Sequence, residues 1–294
     1  MKIAIGIPAY NEEKNIASII LEIKKQFDEI IVCDDGSTDH TKEILEKLNV
    51  TMITHPKNLG YGAAIRSIFL KAKEMSVDIL VTFDADGQHR IEDIDKMLKP
   101  VKEDKAEIVI GSRFLGNKQE VPKYREIGIK AITSLTNITT GSKISDSQSG
   151  FRAYSKKVLE EISPSESGMG ISTEILIKAA KRQMRIFEVP IVVSYDGETS
   201  THNPVSHGTS VIMTTIKFVA LERPLTFYGI PGVGFLLVGI FFLAWTLQLF
   251  GELGRVVTNV ALVGLGGIIL GVILLITSVI LFSMINLVRE QKGK

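Results

Sequence analysis

Two long stretches near the C-terminal end contain no charged side chain, at residues 224–251 and 256–288. About 20 consecutive apolar residues are enough for a helix to cross the hydrocarbon core of a bilayer. The two stretches therefore predict two membrane-spanning helices, at about 227–250 and about 260–285, joined by a short loop. A pair of buried helices in a soluble protein is the alternative, but few core helices run this long without a charge.

Basic residues flank the two predicted spans and indicate their orientation. Because Lys and Arg favour the cytoplasmic side, both chain ends and the N-terminal part are expected in the cytoplasm, bound to the cell membrane. The first apolar run ends early at Pro8, so we expect no signal peptide. Two copies of the chain could also associate through these helices. The flanking basic residues are Lys217, Arg223, Arg289, Lys292 and Lys294.

The overall composition excludes several classes of protein. The chain has 34 Lys and Arg against 33 Asp and Glu, so its net charge of +1 gives no electrostatic case for binding nucleic acid. The one cysteine, Cys33, excludes a disulfide framework and a cysteine-based zinc site. The mean hydropathy of +0.21 averages a polar N-terminal part with the apolar C-terminal part.

Apolar runs alternate with helical patterns from residue 2 to about 193. Such alternation favours an α/β fold with a largely parallel sheet that helices cover on both faces. Ligands bind beyond the carboxyl ends of the strands in such sheets. The predicted strands are Ile3–Ile7, Glu29–Cys33, Thr51–Thr54, Asp78–Phe83 and Ile108–Ile110, and the predicted helices are Asn15–Phe27, Thr41–Leu48 and Ala63–Met75.

Asp84 and Asp86 follow an apolar strand and lie one residue apart, so their side chains should point the same way. Like charges this close repel each other unless a cation lies between them. Hard oxygen ligands suit Mg²⁺ or Mn²⁺, which in turn bridge diphosphate oxygens. Gln88 adds a neutral oxygen, and Gly87 permits the turn. This loop therefore predicts a divalent-cation site beside a diphosphate.

A second acidic pair, Asp34 and Asp35, ends another predicted strand. A helix cap formed by Ser37, Thr38 or Asp39 explains part of this loop. It does not explain the two preceding acids, which could accept hydrogen bonds from a nucleobase and a ribose hydroxyl.

Two other nucleotide-binding motifs are not matched. Gly60-Tyr61-Gly62 resembles half of a dinucleotide fingerprint, but the third glycine is absent, so we interpret it as the tight start of a helix. The phosphate-binding pattern G-x-x-x-x-G-K-[ST] does not occur.

Taken together, the polar loops resemble those of family 2 glycosyltransferases, and most of all the polyprenyl-phosphate (dolichol-phosphate) mannosyl- and glucosyltransferases. The resemblance implies a GT-A-type nucleotide-sugar-binding domain with a mixed, mostly parallel sheet at residues 1–204. The apolar residues within 205–223 independently predict an interfacial helix or a buried connector. The two predicted spans would then form a two-helix transmembrane hairpin with a basic tail at 224–294. The matching segments are Pro8–Glu12, Asp34–Asp39, Asn58–Gly62, Asp84–Gln88, Gly111–Arg113, Asp146–Arg152 and Glu188–Ile191.

The resemblance also implies roles for individual residues. Asp84, Asp86 and Arg113 would be catalytic, with Asp86 and Gln88 holding Mg²⁺ or Mn²⁺. The nucleotide would contact Pro8, Tyr10, Glu12, Asp34, Asp35, Asp84, Ala85 and Asp86. The acceptor phosphate would contact Arg113, with either Arg125 or Lys130 as a second cation. Ser149 would line the same site or form part of a turn at Gly150, and Arg152 would bind the phosphate or pair with an acid.

The reaction implied by this resemblance is a metal-dependent transfer of a hexose, from a GDP- or UDP-linked sugar to a membrane polyprenyl (dolichyl) phosphate. A lipid phosphate is already ionised near neutral pH, so no general base is needed, and direct attack would invert the anomeric carbon. The long isoprenoid of the acceptor requires the enzyme to work at the lipid bilayer, which the two predicted spans would ensure.

Two alternatives share the fold expected from this resemblance. One is a processive membrane polysaccharide synthase, although that class carries a Gln-x-x-Arg-Trp motif and the one Trp here, Trp245, lies in a predicted span. The other is an inactive nucleotide-sugar-binding membrane module, against which the intact Asp84, Asp86 and Gln88 argue.

Overall fold

The computed structural model describes residues 1–116, 123–193, 220 and 224–292. The chain forms two compact units, Met1–Thr215 and Ile216–Lys294. The interfacial helix predicted at 205–223 lies outside the described residues, apart from Ala220. The predicted domain boundaries stay predictions.

A seven-stranded mixed sheet forms the centre of the first unit, in the order β3-β2-β1-β4-β6-β5-β7. Strand β6 runs antiparallel to its neighbours β4 and β5, and the other pairs are parallel. The sheet is therefore mostly parallel, as predicted. The strands are β1 (Ile3–Ala9), β2 (Glu29–Asp34), β3 (Thr51–Thr54), β4 (Ile79–Thr82), β5 (Ile108–Ser112), β6 (Arg152–Ser155) and β7 (Ile186–Pro190).

Side chains alternate between the two faces of the sheet and join two separate hydrophobic clusters. On β1, Ile5 and Ile7 pack into the cluster that contains Ile20 of α1, whereas Ala4 packs into the cluster that contains Ile68 of α3. Both faces are thus covered by helices, as expected for a sheet of this kind. The helices are α1 (Ile16–Ile23), α2 (Thr41–Lys47), α3 (Tyr61–Glu74), α4 (Asp93–Lys102), α5 (Lys123–Thr140), α6 (Lys156–Glu161) and α7 (Ile171–Lys181).

The second unit contains two long helices, α8 (Ile230–Leu253) and α9 (Thr258–Lys292), and a π-helical turn at Leu225–Gly229 precedes α8. The segments Leu225–Leu253 and Thr258–Ile285 are long and apolar enough to cross a membrane. Only 11% of the most apolar part of each is buried, which is unlike the core helix of a soluble protein.

Glycines let α8 and α9 pack closely against each other. A Cβ atom added to Gly239 would lie 2.5 Å from the backbone nitrogen of Ile268, and one added to Gly271 would lie 2.7 Å from that of Leu236. Small residues allow this close approach between membrane helices, where lipid offers no hydrophobic drive for association. These two glycines therefore serve contacts within the hairpin, and the association of two copies through these helices stays a prediction.

Replacing Gly239 by Leu is expected to destabilise the hairpin by roughly 1–3 kcal/mol, because the added side chain overlaps the backbone of α9. Gly234 is the matched control, since nothing lies within 4 Å of its added Cβ. Thermal unfolding of the purified protein in detergent, followed by the fluorescence of Trp245 on α8, measures the difference. Equal unfolding temperatures for Gly239→Leu and Gly234→Leu would contradict this packing.

Candidate active site

The loops after β1 and β2 meet at one edge of the sheet. Ala9 at the end of β1 lies opposite Asp34 at the end of β2. The amide of Asn11 donates to Ser37 Oγ at 3.0 Å, and Asn11 Oδ1 accepts from the amide of Thr38 at 2.8 Å. Asn11 adopts a left-handed backbone conformation, φ 56°, to make this reciprocal contact. The structure therefore joins two of the three predicted polar loops directly.

Both acids at the end of β2 are buried, and hydrogen bonds fix both of them. Asp34 Oδ1 accepts from the amide of Ser37 at 3.1 Å. Asp35 Oδ1 accepts from His55 Nδ1 at 2.6 Å and from the amide of Leu59 at 3.0 Å, and its Oδ2 accepts from the amide of Gly60 at 2.8 Å. A carboxylate offers about four acceptor positions, so Asp35 has capacity for about one more donor.

The third polar loop, after β4, contains the acids predicted to bind the diphosphate and metal. Asp84 Oδ1 accepts from the hydroxyl of Tyr61 at 3.2 Å, and its Oδ2 lies 3.5 Å from His89 Nε2. Asp86 Oδ1 accepts from the amide of Gln88 at 3.0 Å, which closes the turn. Asp84 is thus held by side chains from two different segments.

Partial loss of hydration and mutual repulsion make this acidic centre, Glu12, Asp84 and Asp86, electrostatically costly. Burial raises the pKa of Glu12 to about 7, and the charges of Asp86, Asp39 and Asp84 act in the same direction, against a hydrogen bond with Asn15. Partial removal from water and then the charge of Asp84 raise the pKa of Asp86 above its usual range, although its side chain still reaches solvent. Such perturbed carboxylates at a sheet edge are typical of functional sites.

A divalent cation fits the chemistry of this centre, because it would remove the repulsion between the carboxylates. Within the described residues, no group of three or more His, Cys, Asp or Glu side chains is arranged to hold a metal ion. A cation at Asp86 and Gln88 would therefore need oxygens from a diphosphate and from water, and Mg²⁺ is commonly bound in that way.

Arg113 follows β5 and is oriented by a buried acid. Its Nε donates to Asp146 Oδ2 at 2.7 Å and its Nη2 to Asp146 Oδ1 at 2.8 Å, a bidentate pair. Asp146 is fully buried. Glu188 on β7 in turn accepts from the amides of Ser145 and Asp146 at 2.8 and 3.0 Å. The position of the guanidinium is thus determined by β5, β7 and the segment before β6.

The other residues predicted to contact the acceptor phosphate lie in different surroundings. Lys130 on α5 forms an ion pair with Glu126. Its Nζ lies 5.8 Å from the centre of the ring of Phe114, the residue that follows Arg113 in the sequence. The side chain of Arg125 lies outside the described residues. Ser149 is buried, and its hydroxyl has no hydrogen-bond partner in the described structure.

Arg152 is only 1% exposed and its donors face main-chain carbonyls. Its Nε, Nη1 and Nη2 donate to the carbonyls of Ser149, Ser172 and Ser147 at 2.8, 2.9 and 2.6 Å. The side chain thereby fixes the segment before β6 to α7. Its guanidinium is thus engaged within the chain, and a contact between Arg152 and the acceptor phosphate stays a prediction.

The Gly60-Tyr61-Gly62 segment starts α3, as predicted from the sequence. Gly60 has a φ of +100°, which favours glycine. An added Cβ on Gly62 would lie 2.5 Å from the carbonyl oxygens of Glu166 and Gly168. These glycines therefore allow the loop before α7 to pack against the start of α3. The first residue of that helix, Tyr61, donates its hydrogen bond to Asp84.

Comparison with known proteins identifies the family. The model of glycosyl transferase family 2 matches residues 4–163. The UDP-N-acetylglucosamine–dolichyl-phosphate N-acetylglucosaminyltransferase of Methanococcus voltae is 36% identical over 229 residues, which cover 70% of this chain and 89% of that protein. The dolichyl-phosphate hexose transferase of Haloferax volcanii is 30% identical over 223 residues, covering 75% of this chain and 95% of that protein.

Solved structures show the same fold. Glucosyl-3-phosphoglycerate synthase of Mycobacterium tuberculosis, in complex with Mn²⁺ and UDP-glucose, superposes with a TM-score of 0.60 at 22% identity. The superposition covers 74% of this chain and 78% of that one. The predicted GT-A-type fold is confirmed, and the chain is a glycosyltransferase that belongs to family 2.

Proposed function

We propose that this glycosyltransferase transfers a sugar from a nucleoside-diphosphate sugar to dolichyl phosphate. The observation that carries the proposal is the acidic centre at the same sheet edge as the buried Asp34 and Asp35, in a chain of family 2. The acceptor is supported by the names of the Methanococcus and Haloferax relatives. The Methanococcus relative makes UDP-N-acetylglucosamine the first donor to test.

In this proposal, different residues of the chain bind the nucleotide-sugar donor and the lipid-phosphate acceptor. Asp34 and Asp35 bind the nucleoside, with Pro8, Tyr10 and Glu12 lining the same end of the sheet. Arg113, held by Asp146, faces the phosphate of the acceptor, and its planar guanidinium suits a phosphate better than an ammonium group would. That phosphate is already ionised and attacks directly, so the anomeric carbon inverts.

A divalent cation at Asp86 and Gln88 would neutralise the charge that develops on the departing diphosphate. The repulsion within the acidic centre supports this role, and the Mycobacterium enzyme of the same fold binds Mn²⁺ with its UDP-glucose. We propose Mg²⁺ or Mn²⁺ as the cofactor.

We further infer that α8 and α9 cross the cell membrane, with the first unit and both chain ends in the cytoplasm. The two apolar segments support the crossing. The basic residues before the first segment and after the second support the orientation. The site would then lie on the side of the membrane where nucleotide-sugars are made, beside a lipid acceptor that cannot leave the bilayer.

Asp86→Ala is expected to lower the transfer rate by about 100-fold or more, because the cation loses its protein carboxylate. The fold should be retained, since the change removes a repelling charge. The transfer rate is measured with radiolabelled UDP-N-acetylglucosamine, dolichyl phosphate and Mg²⁺, as the amount of label that appears in the lipid extract. Asp95→Ala, which removes an exposed carboxylate on α4, is the control. Turnover near the wild-type rate in Asp86→Ala would remove Asp86 from the metal role.

The acidic centre also predicts a pH-dependent stability. The folded pKa of Glu12 is raised from 4.5 to about 7, so folding favours its protonated form and stability declines as pH rises from about 4.5 to 7. Glu12→Gln should therefore raise the unfolding temperature of the metal-free protein at pH 8, by roughly 2–4 °C for a gain of about 1 kcal/mol.

At pH 4.5 the same substitution should have little effect, because Glu12 is then protonated in the folded protein. Thermal unfolding at the two pH values, in the presence of a chelator, tests this expectation. An equal shift at both pH values, or a loss of stability at pH 8, would show that folding does not disfavour the ionised form of Glu12.

The orientation can be tested with Arg255→Cys, which places a thiol between the two spans. The natural Cys33 is buried and should contribute little background. A membrane-impermeant maleimide is expected to label Arg255→Cys in intact cells, whereas Asp95→Cys on α4 should be labelled only after permeabilisation. The reverse pattern would contradict a cytoplasmic catalytic unit.

A further inference from the structure

His55 is the one side chain that donates a hydrogen bond to Asp35 among the described residues. The residue follows β3 directly, and its amide donates to the carbonyl of Asp34 at 2.9 Å. Its Nδ1 lies 2.6 Å from Asp35 Oδ1, and the two side chains are only 10% and 4% exposed. A carboxylate can only accept, so Nδ1 carries the proton of this hydrogen bond.

The other ring nitrogen of His55 is also held in place. Nε2 lies 2.9 Å from Ser67 Oγ on α3 and 3.6 Å from Cys33 Sγ on β2. The imidazole is therefore fixed at both nitrogens, by residues on two different elements. A ring fixed in this way offers its Nδ1–H in one direction only, towards Asp35.

The spacing of Ser67, His55 and Asp35 matches a nucleophile, base and acid, but the surroundings do not support hydrolysis. Ser67 lies inside α3, where main-chain N–H groups donate to carbonyls of the same helix. Those groups are therefore unable to stabilise an oxyanion, which this chemistry requires. The arrangement serves to hold Asp35.

The hydrogen bond from His55 to Asp35 also affects the position of the start of α3. The same carboxylate accepts from the amides of Leu59 and Gly60, which precede α3. Without His55, this buried carboxylate would lose its side-chain donor and could rotate, and the start of α3 would move with it. Tyr61, which contacts Asp84, begins that helix.

We propose that His55 is a positioning residue for the donor nucleotide: it orients the Asp35 carboxylate so that its remaining acceptor position faces the nucleoside. This inference rests on the proposed nucleotide-sugar function. It assigns His55 no contact with the reacting atoms, so it predicts an effect on nucleotide binding and little effect on the rate of the chemical step.

Two substitutions separate the two hydrogen bonds of the ring. The amide nitrogen of Asn occupies the place of Nδ1, so His55→Asn keeps the donor to Asp35. The amide of Gln reaches the place of Nε2, so His55→Gln keeps only the contact with Ser67. Ser67→Ala is a further control that leaves the bond to Asp35 intact.

The measurements are calorimetric titration of full-length protein in detergent with UDP and with GDP, in the presence of Mg²⁺, and the KM and kcat of transfer. His55→Gln should weaken nucleotide binding and raise the donor KM by about tenfold or more, a loss of about 1.4 kcal/mol. Its kcat should stay within about threefold of wild type. His55→Asn and Ser67→Ala should bind nucleotide within about threefold of wild type.

The outcomes distinguish a failure of the proposed function from a failure of the proposed role of His55. Wild-type protein that binds neither UDP nor GDP would overturn the proposed function and this inference with it. A wild type that binds nucleotide while His55→Gln binds it equally well would overturn the role of His55 alone. Equal losses in His55→Asn and His55→Gln, with lowered unfolding temperatures, would show a merely structural residue and also overturn it.

Discussion

A buried carboxylate must receive hydrogen bonds or remain under electrostatic strain, and this constraint organises the whole sheet edge of the first unit. Asp35 and Asp146 are buried, and each accepts three or more hydrogen bonds. Glu174 on α7 is likewise buried and accepts from the amides of Ser165 and Glu166. These acids are satisfied within the chain, and each fixes a loop around the site.

Glu12 and Asp86 differ from those acids, because their surroundings raise their pKa values. The chain therefore concentrates unrelieved negative charge at one place and neutralises it elsewhere. This contrast indicates where a cation and a diphosphate would be bound with most benefit. Asp146 and Glu174 therefore build the site, whereas Asp35 both holds the start of α3 and, in the proposed function, contacts the nucleoside.

The loops around the acidic centre depend on one another. Gly62 allows the loop before α7 to approach the start of α3, and Glu174 accepts hydrogen bonds from two amides of that loop. Tyr61 and Asp35 then connect the start of α3 to the loops after β4 and β2. A substitution at any of these contacts should thus change the position of the Asp84 side chain, even though the residues are far apart in the sequence.

The sequence predicts the features that depend on local pattern. The alternation of apolar runs and helical patterns indicates the parallel part of the sheet, and the charge-free stretches indicate α8 and α9. The antiparallel β6 is not predicted, because it is only four residues long and its first residue, Arg152, belongs to the polar motif Asp146–Arg152. Helix α5 is not predicted either, because its apolar residues do not mark one buried face: Ile127 and Ile138 are exposed.

Within the site, the sequence pattern indicates the acids but not the residues that donate hydrogen bonds to them. The polar loops place Asp34, Asp35, Asp84 and Asp86 at strand ends, yet nothing in them indicates that His55 would donate to Asp35 from 20 residues away. The burial of Arg152 among three main-chain carbonyls is likewise a feature that a linear pattern does not contain. A histidine directly after a strand, near an acidic strand end, is the signal that could have pointed to His55.

The central claim is that this chain transfers a sugar from a nucleotide to a lipid phosphate. The most direct measurement offers radiolabelled UDP-N-acetylglucosamine, UDP-glucose and GDP-mannose to the purified protein, each with dolichyl phosphate and with Mg²⁺ or Mn²⁺. Label is expected in the lipid extract with at least one donor, and no label is expected when dolichyl phosphate or the cation is omitted. No lipid-extractable label with any of the three donors would contradict it.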